Sequence, residues 1–118
     1  MKTYKLIKQA ISRELADFIY LYFLNKRKVV LYFFESKYIS PFAEEWGRWD
    51  DPQVPNTYSH YSDLVMETLL QQIKPLMEIE TQASLIETYS YARIYKKGDE
   101  LKKHIDRNSC EVSCTMNL

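Results

Sequence analysis

The chain has 118 residues, 46% apolar and 27% charged, which is enough for one domain with one modest core and too apolar for a disordered segment. Two glycines and four prolines exclude collagen-like and linker-like chains, and 16 Lys/Arg against 16 Asp/Glu remove the default case for a basic nucleic-acid binder. The longest apolar stretch, 15–24, contains Asp17 and is too short to span a bilayer; no secretory pattern opens the chain, and two cysteines make no disulfide framework, so the expectation is a cytoplasmic protein.

Charge is uneven along the chain. Residues 1–40 carry eight Lys/Arg against three Asp/Glu, residues 41–90 two against nine, and residues 91–118 six against four, a pattern that reads first as solvated faces. Residues 4–8 read as a short strand or extended lead-in. Ser12 then stands where an N-cap belongs, with Glu14 in the first turn, and Leu15, Phe18, Ile19, Tyr22 and Phe23 follow at helical spacing. The helix is expected to run through the polar patch at 25–28 to about Glu35. Residues 36–62 hold three prolines, Gly47, the pair Asp50-Asp51, Trp46 and Trp49, and read as a long loop. Its tryptophans either plug a core edge or form a lid over a substrate. A second helix is expected over 63–80, striped by Val65, Leu69, Ile73, Leu76 and Met77, with Pro75 kinking or dividing it.

From residue 84 the residues become strand formers. Ile86, Thr88, Ser90, Ala92 and Ile94 alternate with Leu85, Tyr89, Tyr91, Arg93 and Tyr95. Turn signals follow at 97–99 and 107–109. Strands are therefore expected over 84–95, 101–106 and 110–118, the last with Cys110, Val112, Cys114, Met116 and Leu118 on one face. Three strands with this much free edge make a poor finished sheet, so the expected fold is incomplete. It is a single domain over 1–118, with a helical lead-in over 1–83 and the first strands of a barrel over 84–118.

The stretch with the most chemical content is YKKGDELKKHID at 95–106. On a strand, His104 and Asp106 project to one face, where an imidazole nitrogen and a carboxylate oxygen can occupy adjacent positions on a metal. By itself His-x-Asp is also what a surface salt link or a turn cap looks like. His60 reads as a loop or packing histidine, and Cys110 and Cys114 as packing residues, since two thiols without further ligands make no zinc site. Ten tyrosines with Lys96, Lys97, Lys102 and Lys103 would suit stacked, phosphate-bearing ligands, but no nucleic-acid motif accompanies them.

Tyr95 nine residues before His104, Gly98 in the intervening turn, His104-Ile105-Asp106, and a following segment that ends Met116-Asn117-Leu118 resemble the prolyl 4-hydroxylase-like branch of the 2-oxoglutarate/Fe(II)-dependent dioxygenases. The resemblance covers most of the chain and is specific over 89–118. It implies an α+β fold in which helices pack on the first strands of a double-stranded β-helix (a jelly-roll or cupin-like barrel). It implies Fe(II), 2-oxoglutarate and O2, with ascorbate as an auxiliary reductant, and hydroxylation of a peptide or small molecule as 2-oxoglutarate becomes succinate. His104 and Asp106 would be iron ligands, Tyr95 would line the 2-oxoglutarate pocket, and Thr115 would touch the cosubstrate's far carboxylate. Leu101 departs from the pattern, where many relatives have Tyr. The second iron histidine and the Arg or Lys for the far carboxylate also have no counterpart, because no His follows Asp106 and the only later cation is Arg107. The chain is thus expected to be the front part of such an enzyme, inactive alone and completed by the missing barrel half or a second chain. The alternative from another class is a non-catalytic binding or assembly module that pairs through its open sheet edge.

Overall fold

The computed structural model describes residues 4–118, so the reading of Met1–Thr3 lies outside the described residues. Residues 4–8 form no strand; they lead into a turn at Gln9, and Lys5 pairs with Glu80. The first helix, α1, spans Arg13–Glu35 and is capped by Ser12, whose hydroxyl accepts from the N–H of Leu15 at 3.2 Å. No glycine or proline interrupts the first 40 residues, and α1 passes unbroken through the polar patch at 25–28. Its inner face buries Ile19, Phe23 and Val30, while Phe18, Leu21 and Tyr32 face outward.

The loop after α1 folds back over the core. Trp49 stacks on Tyr58 at 4.7 Å and meets Phe34 edge-on at 5.7 Å, so this tryptophan plugs the core edge. Gly47 permits the crossing. It sits at φ +97°, and a Cβ there would lie 2.6 Å from the Tyr58 ring. The Tyr58 hydroxyl donates to the carbonyl of Trp46 at 2.7 Å, so ring and backbone are locked together. Arg48 and Ser59 exchange backbone hydrogen bonds of 2.8 and 2.9 Å.

That contact leads into β1, Ser59–Tyr61, which pairs antiparallel with β2, Tyr91–Arg93, in the register Ser59↔Arg93, His60↔Ala92 and Tyr61↔Tyr91. Between them runs α2, Leu64–Thr81. Asp63 caps it, its Oδ1 accepting from the N–H groups of Val65 at 2.9 Å and Met66 at 3.1 Å. Pro75 does not divide α2, one of the two outcomes expected of it: the helix is continuous from Leu64 to Thr81. Proline removes one N–H, which a helix of five turns absorbs when its inner face stays packed. That face buries Met66 and Ile73. Ile19, Phe23, Val30, Tyr58 and Met66 form the centre of the core, with Ala92 and Ile94 packed against it from β2 and its extension.

The strand expectations are corrected. Strand structure in the last third is confined to Tyr91–Arg93, and segments 101–106 and 110–118 carry no strand, although the turns at 97–99 and 107–109 do form, closed by Asp99 N–H to Lys96 O and Cys110 N–H to Arg107 O, each 2.9 Å. Alternation prepares a segment for a sheet, but a neighbour must take its N–H and C=O groups, and among the described residues none forms a ladder with these two. Ile105 accordingly stands 95% exposed. Cys114, expected to pack inside, is exposed. The described residues form two helices and one two-stranded antiparallel sheet, and no helix among them is long and apolar enough to cross a membrane.

Candidate functional site

The segment that carries His104 and Asp106 leaves β2 through a tightly held turn. Arg93 ends β2 with its guanidinium on Asp51 at 2.7 Å and a second bond to the Tyr95 hydroxyl at 3.1 Å. Tyr91 also donates to Asp51. Burial pushes the Asp51 carboxyl up, but the hydrogen bonds from Tyr91, the Gln53 N–H and Arg93 outweigh it and hold the group below the usual carboxylate range. Beyond Tyr95, Asp99 accepts from the Thr57 hydroxyl at 2.6 Å and from the Lys96 N–H at 2.7 Å. These bonds, Thr57 first, bring its pKa down to about 2. Gly98, at φ +91°, supplies the left-handed residue of this turn.

His104 and Asp106 meet beyond the turn. Nε2 of His104 lies 3.2 Å from Oδ1 of Asp106, and Nδ1 lies 2.9 Å from the carbonyl oxygen of Lys102. A carbonyl only accepts, so Nδ1 carries the hydrogen in that contact. In the neutral ring Nε2 is then bare, and its lone pair faces a carboxylate oxygen. The two side chains are partly open to solvent, at 35% and 42% exposure, so the pair can stand as a surface salt link or take a metal. Two donors at ordinary bond lengths of about 2.1 Å and at right angles on one ion stand about 3 Å apart. The donor types, the spacing and the anchored second nitrogen therefore fit two adjacent positions on a metal. Among the described residues no group of three His, Cys, Asp or Glu is placed to hold one.

The other sequence-predicted positions are less tightly joined to this pair. Tyr95 is half exposed and its hydroxyl is engaged by Arg93, while Thr115 is exposed; neither is hydrogen-bonded to His104 or Asp106. His60 is a packing residue, buried on β1.

His60 belongs to a polar cluster that the sequence reading missed. The Lys26 ammonium lies against both Nδ1 of His60 and Oδ2 of Asp63, and the Tyr22 hydroxyl donates to the same carboxylate. Burial pushes the Asp63 carboxyl up, but the contacts from His60, Lys26, Tyr22 and the Met66 N–H hold it far below its ordinary value. Burial and the Asp63 carboxylate push the Tyr22 phenol far up. The legible signal was Asp63 at an N-cap position; the approach of Lys26 from another element was not legible. A shallow cleft of about 400 Å³ lies between Phe34, Pro41, Trp49, Pro52 and Pro55, and neither His104 nor Asp106 lines it. No protein-family model, curated protein or solved structure matches the chain.

Proposed function

We propose that this chain carries part of the iron site of a 2-oxoglutarate- and Fe(II)-dependent dioxygenase of the prolyl 4-hydroxylase-like kind, acting in the cytoplasm on a peptide or small molecule. The carrying observation is the convergence of His104 Nε2 and Asp106 Oδ1 at 3.2 Å with Nδ1 already anchored on Lys102 O. In this reading His104 and Asp106 hold Fe(II) side by side. The bound iron would supply O2 activation coupled to decarboxylation of 2-oxoglutarate to succinate. Lys102 O fixes the imidazole tautomer and ring direction. Tyr95 and Thr115 line the cosubstrate pocket, and ascorbate serves as an auxiliary reductant. The Arg93–Asp51 and Thr57–Asp99 ties hold the turn from which the ligand segment emerges. A second iron histidine, the cation for the far carboxylate and the remaining strands of a double-stranded β-helix come from outside these 118 residues. Isothermal titration of the chain with Fe(II) under anaerobic conditions tests the ligand assignment: His104→Ala abolishes the binding seen for the unaltered protein, and equal affinity for both removes the proposal.

One observation favours a second reading. Ile86 is 88% exposed, Ile105 95% and Val112 44%, all in segments flanking β2 that carry no strand of their own. A non-catalytic module that pairs these segments with a partner would cover them. Partner binding insensitive to chelator and to His104→Ala supports that reading over the first.

A further inference from the structure

We propose that Arg107 is a positioning residue for the His104–Asp106 pair, a role that rests on the metal reading above. Segment 101–109 has no ladder to hold it, so its placement depends on side-chain contacts. The Arg107 guanidinium supplies two of them, 4.3 Å from the centre of the Tyr89 ring and 5.7 Å from that of Tyr61. The two rings lie 5.1 Å apart at an interplanar angle of 33°, and the Ser62 N–H donates to the Ser90 carbonyl at 3.0 Å beside them. Tyr61 ends β1 and Tyr89 lies two residues before β2, so the stack joins the ligand segment to the only sheet among the described residues. A planar cation over an aromatic face is attracted by the ring quadrupole, and a flat guanidinium covers that face as an ammonium does not. The peptide after Asp106 is thereby tethered, and the Cys110 N–H to Arg107 carbonyl bond of 2.9 Å closes the turn behind it. The tether restricts the backbone on which both ligands ride.

Amide hydrogen exchange on the metal-free chain and Co(II) titration test this together. Exposed cation–π contacts have a strength that converts to about a 2- to 5-fold change in an equilibrium. Arg107→Ala and Tyr89→Leu are expected to speed exchange over 102–107 by about that factor and, by linkage, to weaken Co(II) binding equally. Arg107→Lys, which keeps the charge but not the flat fork, falls between. Circular dichroism stays unchanged throughout, which separates loss of positioning from loss of fold. Wild-type exchange and wild-type Co(II) affinity in Arg107→Ala overturn the inference. An unaltered chain that takes no Co(II) instead overturns the metal reading and the positioning role with it, while the exchange rates still decide whether the tether exists.

Discussion

At the scale of single residues, Gly47 and Asp63 carry the most structural weight. Gly47 combines a left-handed φ of +97° with a Tyr58 ring 2.6 Å from where its Cβ would be, whereas Gly98, at φ +91°, faces open space. Gly47→Ala is therefore expected to cost about 3 kcal/mol or more, from strain plus displacement of a core ring, and Gly98→Ala about 1–2 kcal/mol from backbone conformation alone. Urea midpoints at constant slope measure both. Asp63 faces Lys26 inside the protein, with side-chain exposures of 1% and 15%. Asp63→Ala strands that ammonium and uncaps α2, at an expected cost of about 3–5 kcal/mol. The same geometry sets a pH dependence. The carboxyl groups of Asp51, Asp63 and Asp99 are all held below their ordinary value of 3.8. A folded-state pKa below the unfolded one gives stability that is complete above the unfolded value and is lost as pH falls through the folded one. Denaturant midpoints are thus expected to be flat from about pH 7 to pH 5 with respect to these groups and to fall steadily below about pH 4. For Asp63→Asn the fall is smaller.

At the scale of elements, both helices were legible, and of the strands only β2, which falls inside the expected 84–95. Ser12, Glu14 and the spacing of Leu15, Ile19 and Phe23 were enough to place α1, because a helix closes its own hydrogen bonds. The stripe from Val65 to Met77 placed α2 to within a residue at each end. The segment 110–118 alternates cleanly yet forms no strand, since pairing is a property of two segments and its partner is not written in its own residues. β1 went unrecognised for the converse reason: Ser59–Tyr61 has little strand character, and its register with Tyr91–Arg93 makes it one. Pro75 was legible as a disturbance, and of the two effects expected of it, a kink or a division, the division does not occur. The proline is exposed on α2, where only its missing N–H and its ring against the preceding turn oppose the helix. Pro75→Ala is accordingly expected to raise stability, by up to about 3 kcal/mol, measured as an increase in the urea midpoint. An unchanged or lower midpoint means that the proline contributes through the unfolded chain instead.

At the scale of the whole molecule, α1, α2 and the β1–β2 ladder make a small frame around Tyr58 and Phe23, and the segment with His104 and Asp106 hangs from its edge. The His-x-Asp pair was readable from the sequence because two residues of an extended chain share a face. Its supports were not, because Asp51 lies 42 positions from Arg93 and Thr57 lies 42 from Asp99. The proposed function turns on whether His104 and Asp106 take a metal or stand as a surface salt link. Anaerobic Fe(II) titration of the chain, of His104→Ala and of Asp106→Ala decides between them. Saturable binding is expected in the unaltered chain, weakened by about 100-fold or more in either variant. Fe(II) binding of equal strength in all three proteins, or none in any, leaves the pair as a surface salt link.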